Sequence, residues 1–157
     1  MDAQDEVMER VGTVMALFHG GDRAGARRGF ALIWDEVGTD GDPFHRCVLA
    51  HYLADVQDDL RDELAWDLRA LEAAASLTDD RVQEHHASLR IRGFYPSLHL
   101  NLAEDYRRLG EPDKARHHLA EAETRADALA DDDYGNGIRA ALTRLADRLS
   151  DPETTIP

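Results

Sequence analysis

Cysteine is almost missing: Cys47 is the only one in 157 residues. That excludes an internal disulfide and any metal site built on several thiolates. Lysine also occurs once, as Lys114, among 18 basic side chains. Positive charge is short overall, with 32 acidic residues leaving a formal balance of −14. Binding a phosphate backbone needs a basic surface that displaces counterions, so a nucleic-acid partner is not expected. Long apolar runs are absent too. None approaches the roughly 18 residues a membrane-spanning helix needs, so no membrane role is expected. The opening MDAQDEVMER is acidic and amphipathic. It lacks the basic and apolar segments of a signal peptide, so the expected location is the cytoplasm. No polar–apolar alternation lasts more than a few positions, which leaves no strand signal.

What remains is rich in Ala, Leu, Arg and Glu, all strong helix formers. Gly and Pro sit at breaks between segments. The length fits one domain, expected over 1–150 with a frayed tail over 151–157. Apolar residues recur at steps of three and four in each segment. Val7, Val11, Val14, Met15 and Phe18 mark a helix over 5–19, ended by Gly20-Gly21-Asp22. Ala26, Phe30, Ile33 and Trp34 mark the next, over 22–37. Asp42-Pro43 reads as an N-cap with proline at the first helical position, opening a helix over 43–57. Leu60, Leu64, Leu68, Leu71 and Ala75 form the stripe of a fourth. Thr78-Asp79 would cap a fifth, carrying Val82, Leu89 and Ile91. A kink or restart is expected near Gly93 and Pro96. Leu98, Leu102, Tyr106 and Leu109 line a sixth segment, closed by Gly110. A restart at Pro112 carries Ala115, Leu119, Ala122 and Leu129. Asp131-Asp132-Asp133 breaks the chain before a last helix with Ile138, Leu142, Leu145 and Leu149. The expectation is seven or eight short antiparallel helices joined as αα-hairpins.

One segment carries a recognisable spacing. In LAEDYRRLGEPDKARHHLAEA, Ala103 is followed by Tyr106, Gly110, Ala115, Leu119 and Ala122. This pattern closely resembles a tetratricopeptide repeat. Small residues let two helices approach, Tyr106 and Leu119 fill the space between them, and Gly110 permits the turn. Gly21-Asp22, Ala26 and Phe30 stand at the same offsets, with Val14 and Leu17 on the preceding helix. The middle hairpin over 43–77 is looser: Leu64 or Ala65 takes the alanine position, and no glycine marks the turn. The resemblance implies an all-α fold of stacked hairpins, closed by a C-terminal capping helix over 134–149. It implies peptide binding along a concave face made by the first helix of each hairpin. On that reading the groove candidates are Leu100, Glu104 and Arg107 in the last repeat and His51 and Asp55 in the middle one. The first helix lacks the lysine and asparagine with which one subset of the family grips a C-terminal carboxylate.

Cys47, His51 and Asp55 recur every four residues on one helix and could begin a metal site; the structural alternative is a buried thiol beside a half-buried ring. His85-His86 and His117-His118 are adjacent rather than one turn apart, so neither pair matches a zinc helix. His99 should pack against its partner helix. No nucleophile elbow and no phosphate loop are present. Asp58-Asp59 and Asp131-Asp132-Asp133 read as solvated helix ends. Arg23, Arg27 and Arg28, and later Arg90, Arg92, Arg107 and Arg108, read as surface ion-pair formers, and the second cluster alone could bind an acidic group if the fold brings its helices together. The sequence therefore points to a non-enzymatic module without cofactor or metal, binding a protein or peptide segment of basic character. The alternative is a small-ligand or metal-binding accessory protein that uses the histidines.

Overall fold

A computed structural model describes residues 3–77 and 88–150. The described residues form seven α-helices and one short 3-10 turn, with no strand among them. The helices are α1 (Ala3–His19), α2 (Arg23–Val37), α3 (Pro43–Asp55), α4 (Leu60–Ala75), α5 (Ser88–Arg108), α6 (Pro112–Thr124) and α7 (Asp133–Ser150); the 3-10 turn is Ala126–Ala128. The all-α expectation holds. The chain divides into two compact units, Met1–Leu77 and Thr78–Pro157, and the domain expected over 1–150 spans both.

In the first unit, α1 to α4 pack consecutively and α1 also touches α3. Helix starts follow from local chemistry. The Asp22 carboxylate accepts from the Gly25 N–H, Asp42 from Phe44 and Asp59 from Arg61 and Asp62. Each satisfies donors that the first turn leaves without partners. Phe30, Ile33, Leu49, Leu53 and Val56 are fully buried and make the core. Arg23 and Arg27 tie α2 to the turn between α3 and α4. Both bond the Asp58 carboxylate, and they also donate to the carbonyls of Gln57 and Val56. The two guanidiniums hold the Asp58 carboxyl below its usual range.

In the second unit, α5 pairs with α6, and α7 packs on both. Leu98, Leu102, Ala103, Ala115, Leu119 and Ala122 are buried. Leu142, Leu145 and Leu149 of α7 are buried as well, while Arg144 and Asp147 face solvent. The last helix thus covers an apolar face of the α5–α6 hairpin. Arg116 on α6 donates to the Leu149 carbonyl at 3.1 Å, holding its end.

The outer hairpins turn alike. Gly21 has φ +95° and Gly110 φ +78°, the left-handed region. Gly21 N–H bonds the Phe18 carbonyl and Asp22 N–H that of Leu17; Gly110 N–H bonds Arg107 and Glu111 N–H bonds Tyr106. Both are Schellman turns, with the glycine paying no Cβ penalty. Counted from the N-caps Asp22 and Glu111, Ala26 and Ala115 lie four residues on and are completely buried. Phe30 and Leu119 lie eight residues on, also buried.

The middle hairpin differs. Counted from its N-cap Asp59, the same positions fall on Glu63 and buried Asp67, not on Leu64 or Ala65. The buried line of α4 is Asp67, Ala70 and Ala74, and Leu68 is exposed, which corrects the expected leucine stripe. Small alanines there let α3 and α4 approach closely, so they displace the larger leucines from the contact. Leu17 is exposed as well, unlike its counterpart Tyr106.

Three boundaries shift. The third helix ends at Asp55 rather than at 57. The sixth stops at Thr124, and a 3-10 turn rather than helix leads to buried Leu129. No restart occurs at Pro96, which lies inside α5 with its ring fully buried. Proline inside a helix costs about 3 kcal/mol. Burying two side chains such as Leu98 and Leu102 returns a similar amount, roughly 1.5–3 kcal/mol each. The expected cap Thr78-Asp79, Val82, the His85-His86 pair, the side chains of Leu89, Arg90, Ile91 and Arg92, and the tail over 151–157 lie outside the described residues.

Candidate functional site

Helix α3 buries Phe44, His45, Cys47, Val48, Leu49, Ala50, Leu53 and Ala54. What it leaves toward solvent includes His51 and Asp55, one helical turn apart. The His51 ring is half-buried and lies 5.5 Å from the Tyr52 ring. Burial pushes it down to about 4, so it is neutral at neutral pH. Asp55 is exposed as a residue, but protein crowds its carboxyl. That loss of hydration, with the Glu63 charge close by, pushes the carboxyl up to about 6 against the opposing pull of Arg23. The Glu63 charge thus acts on the Asp55 carboxyl where α3 gives way to α4.

The other three candidates belong to the second unit. Glu104 and Arg107 are brought together as a two-point pair on α5, with Nε–O 3.0 Å and Nη2–O 2.7 Å. Arg148 of α7 reaches within 3.9 Å of the same carboxylate. The Glu104 bond holds the Arg107 guanidinium above its ordinary value. Leu100 is half-buried one turn before Glu104.

Cys47 is buried, and burial pushes its thiol up to about 12, which makes it neither a nucleophile nor a ready ligand. The run Cys47, His51 and Asp55 grades from core to surface instead of converging. His117 is exposed while His118 turns inward, their rings near perpendicular at 72°. Among the described residues no group of three or more His, Cys, Asp or Glu could hold a metal ion. Arg23, Arg27 and Arg107 are ion-paired to carboxylates.

Two arrangements escape sequence reading. His99, buried on α5, meets His118 of α6 with their Nδ1 atoms 3.1 Å apart. The rings stack at 5.4 Å, and Tyr106 stacks on His118 at 5.5 Å. Burial, helped by the Arg125 and His118 charges, pushes His99 down to about 4. His118 is lowered too, mainly by burial. One ring donates and the other accepts, so the hydrogen bond needs at least one ring neutral and is lost when both are protonated. In the first unit, Trp34 of α2 meets Trp66 of α4 edge to face at 4.9 Å. Arg46 lies 4.2 Å over Trp34 and Arg69 lies 4.4 Å over Trp66. The inward orientation of His99 was readable from its place on the Tyr106 face; its partner was not. Nothing in the spacing of Trp34 and Trp66 announced their contact.

Compared with known proteins, the chain matches no family model, no curated protein and no solved structure.

Proposed function

We propose that this protein is a non-enzymatic interaction module of tetratricopeptide-like build, and that it binds a protein or peptide segment of basic character. The observation that carries this reading is the crowded Asp55 carboxyl, with the Glu63 charge acting on it, beside the turn between α3 and α4. A carboxyl raised to about 6 by crowding and by a second carboxylate gains from a cation set beside it. A lysine or arginine from a partner supplies that cation, and a half-buried neutral His51 offers its side chain an apolar wall. The α1–α3 contact supports the build, because it brings the first helices of successive hairpins side by side as the resemblance implies. The groove candidates Leu100, Glu104 and Arg107 provide a second face in the other unit.

The test compares a lysine-rich and a glutamate-rich peptide of equal length by calorimetry. The lysine-rich peptide should bind more tightly, and Asp55→Asn should weaken it several-fold. Below about pH 6 Asp55 becomes protonated and affinity should fall; above it the carboxylate is charged and affinity should hold. Equal affinities for the two peptides, or an affinity that ignores Asp55→Asn, would refute the reading.

A second reading, a metal-binding accessory or sensor protein, is favoured by the two His99 and His118 nitrogens 3.1 Å apart. Zinc that raises the melting temperature of the full chain but not of His118→Ala would promote it over the first.

A further inference from the structure

Several of the 17 arginines in this acidic chain pair with carboxylates among the described residues. Arg10, Arg23, Arg27, Arg107, Arg116 and Arg125 each pair with one. Arg46 and Arg69 do not. Among the described residues neither pairs with a carboxylate; each instead lays its guanidinium on an indole face. The two indoles brace one another edge to face, so the four side chains form one block within the first unit. Arg46 is fixed further by donating to the Gly38 carbonyl.

Stacking uses the flat face of a guanidinium and leaves its edge of N–H donors free to bond elsewhere, and Arg46 gives one of these to Gly38. Both arginines line the same cleft, of about 200 Å³, between the turn after α2 and the outer side of α4. The hydroxyl-bearing residues Thr39 and Ser76 line it too, as does the carboxylate-bearing Glu72. A water occupies roughly 30 Å³ in the liquid, so the cleft has room for one small hydrated group. We propose that this cleft binds a phosphate group. Two positive charges match a dianion, and two guanidinium edges with two hydroxyls can serve its several oxygens, more than a carboxylate presents. The group could come from free inorganic phosphate or from a phosphorylated side chain; both present the same oxygens. The long-range field of a chain at −14 opposes any anion, so capture depends on these fixed donors and not on general attraction. This site is separate from Asp55 and Glu63 and takes a ligand of opposite charge.

The chain has only two tryptophans, and both lie in this block. Their fluorescence therefore reports the site directly. The full-length protein should be titrated at constant ionic strength with inorganic phosphate, with O-phosphoserine and with acetate. Phosphate should give a saturable change, and acetate should give none at the same concentration. Arg69→Gln should weaken phosphate binding at least tenfold, Arg69→Lys should do so less, and Arg28→Gln should leave it unchanged. Glu72→Gln should tighten it by removing the carboxylate that lines the cleft. Since Arg69 is exposed, its variants should keep the parent melting temperature; Arg46→Gln provides an independent check on the same cleft. Stronger binding of O-phosphoserine assigns a phosphorylated side chain, and stronger binding of inorganic phosphate assigns the free ion; either upholds the site. No saturable change, an equal response to acetate, or unaltered affinity in both Arg69→Gln and Arg46→Gln overturns it.

Discussion

Replacing His99 with phenylalanine should make the protein less stable near neutral pH and more stable in mild acid. His99 sits at 6% exposure with its Nδ1 atom 3.1 Å from that of His118. The folded chain holds its pKa near 4, against an ordinary 6.5. The group is depressed on folding, so the unfolded chain takes up its proton first as pH falls. Stability is therefore intact above about pH 6.5 and declines below it, levelling off near pH 4 once the folded form also protonates. At 1.36 kcal/mol per pH unit the full loss is roughly 3 kcal/mol, most of it felt by about pH 4.5. Phenylalanine removes that loss. It also removes one ring-to-ring hydrogen bond, about 1 kcal/mol at neutral pH. The two curves should cross near about pH 6. His51 and the carboxylates titrate in both proteins and cancel in the difference. Urea unfolding of wild type and variant across this range measures it. A difference between the two that stays constant from neutral pH to about pH 4.5 would show that His99 is not held neutral by burial, and the reasoning fails.

Tyr106→Ala should cost roughly 3–5 kcal/mol, since it removes a buried aromatic stacked on His118, whereas Arg108→Ala should stay within about 0.5–1 kcal/mol. Equal melting temperatures would refute the register of α5. Cutting the chain after Ala130 removes α7 and bares the surface that Leu142, Leu145 and Leu149 cover; gel filtration should show association, and a monomer melting like the full chain would count against a capping role. Deleting only 151–157 should leave the melting temperature unchanged. Gly110→Ala should destabilise by about 1 kcal/mol because its φ of +78° strains an L side chain, and an unaltered unfolding midpoint would argue against that turn.

The fold was legible because its determinants are local. Asp42 announces a helix start by chemistry alone, Gly21 and Gly110 announce turns, and Asp22 and Asp59, read as breaks, cap the helices that follow them. The buried positions of α6 and the apolar side of α7 follow directly from helical spacing. The α4 stripe misled because spacing detects large apolar residues, while the contact with α3 selects small ones at Ala70 and Ala74. Pro96 misled because a local cost was outweighed by burial that the local sequence does not display. Of the groove residues, the three- and four-residue steps placed Glu104 with Arg107 and His51 with Asp55 on shared faces. Spacing could not show that the Glu63 charge acts on Asp55, since they lie on different helices. The same limit hid the His99–His118 and Trp34–Trp66 contacts, which exist only after hairpins close.

The short turns between neighbouring helices also bear on how quickly the chain reaches its native state. Helices that pack most extensively are neighbours in sequence, α3 with α4 and α5 with α6, so closing each pair sacrifices little loop entropy. Proteins dominated by such near-neighbour contacts fold in roughly microseconds to milliseconds. During synthesis, each hairpin has its partner helix available within a few tens of residues of leaving the ribosome. Apolar faces such as that of Phe30 and Ile33 are then exposed only briefly, and crowded cellular conditions offer them little time to aggregate.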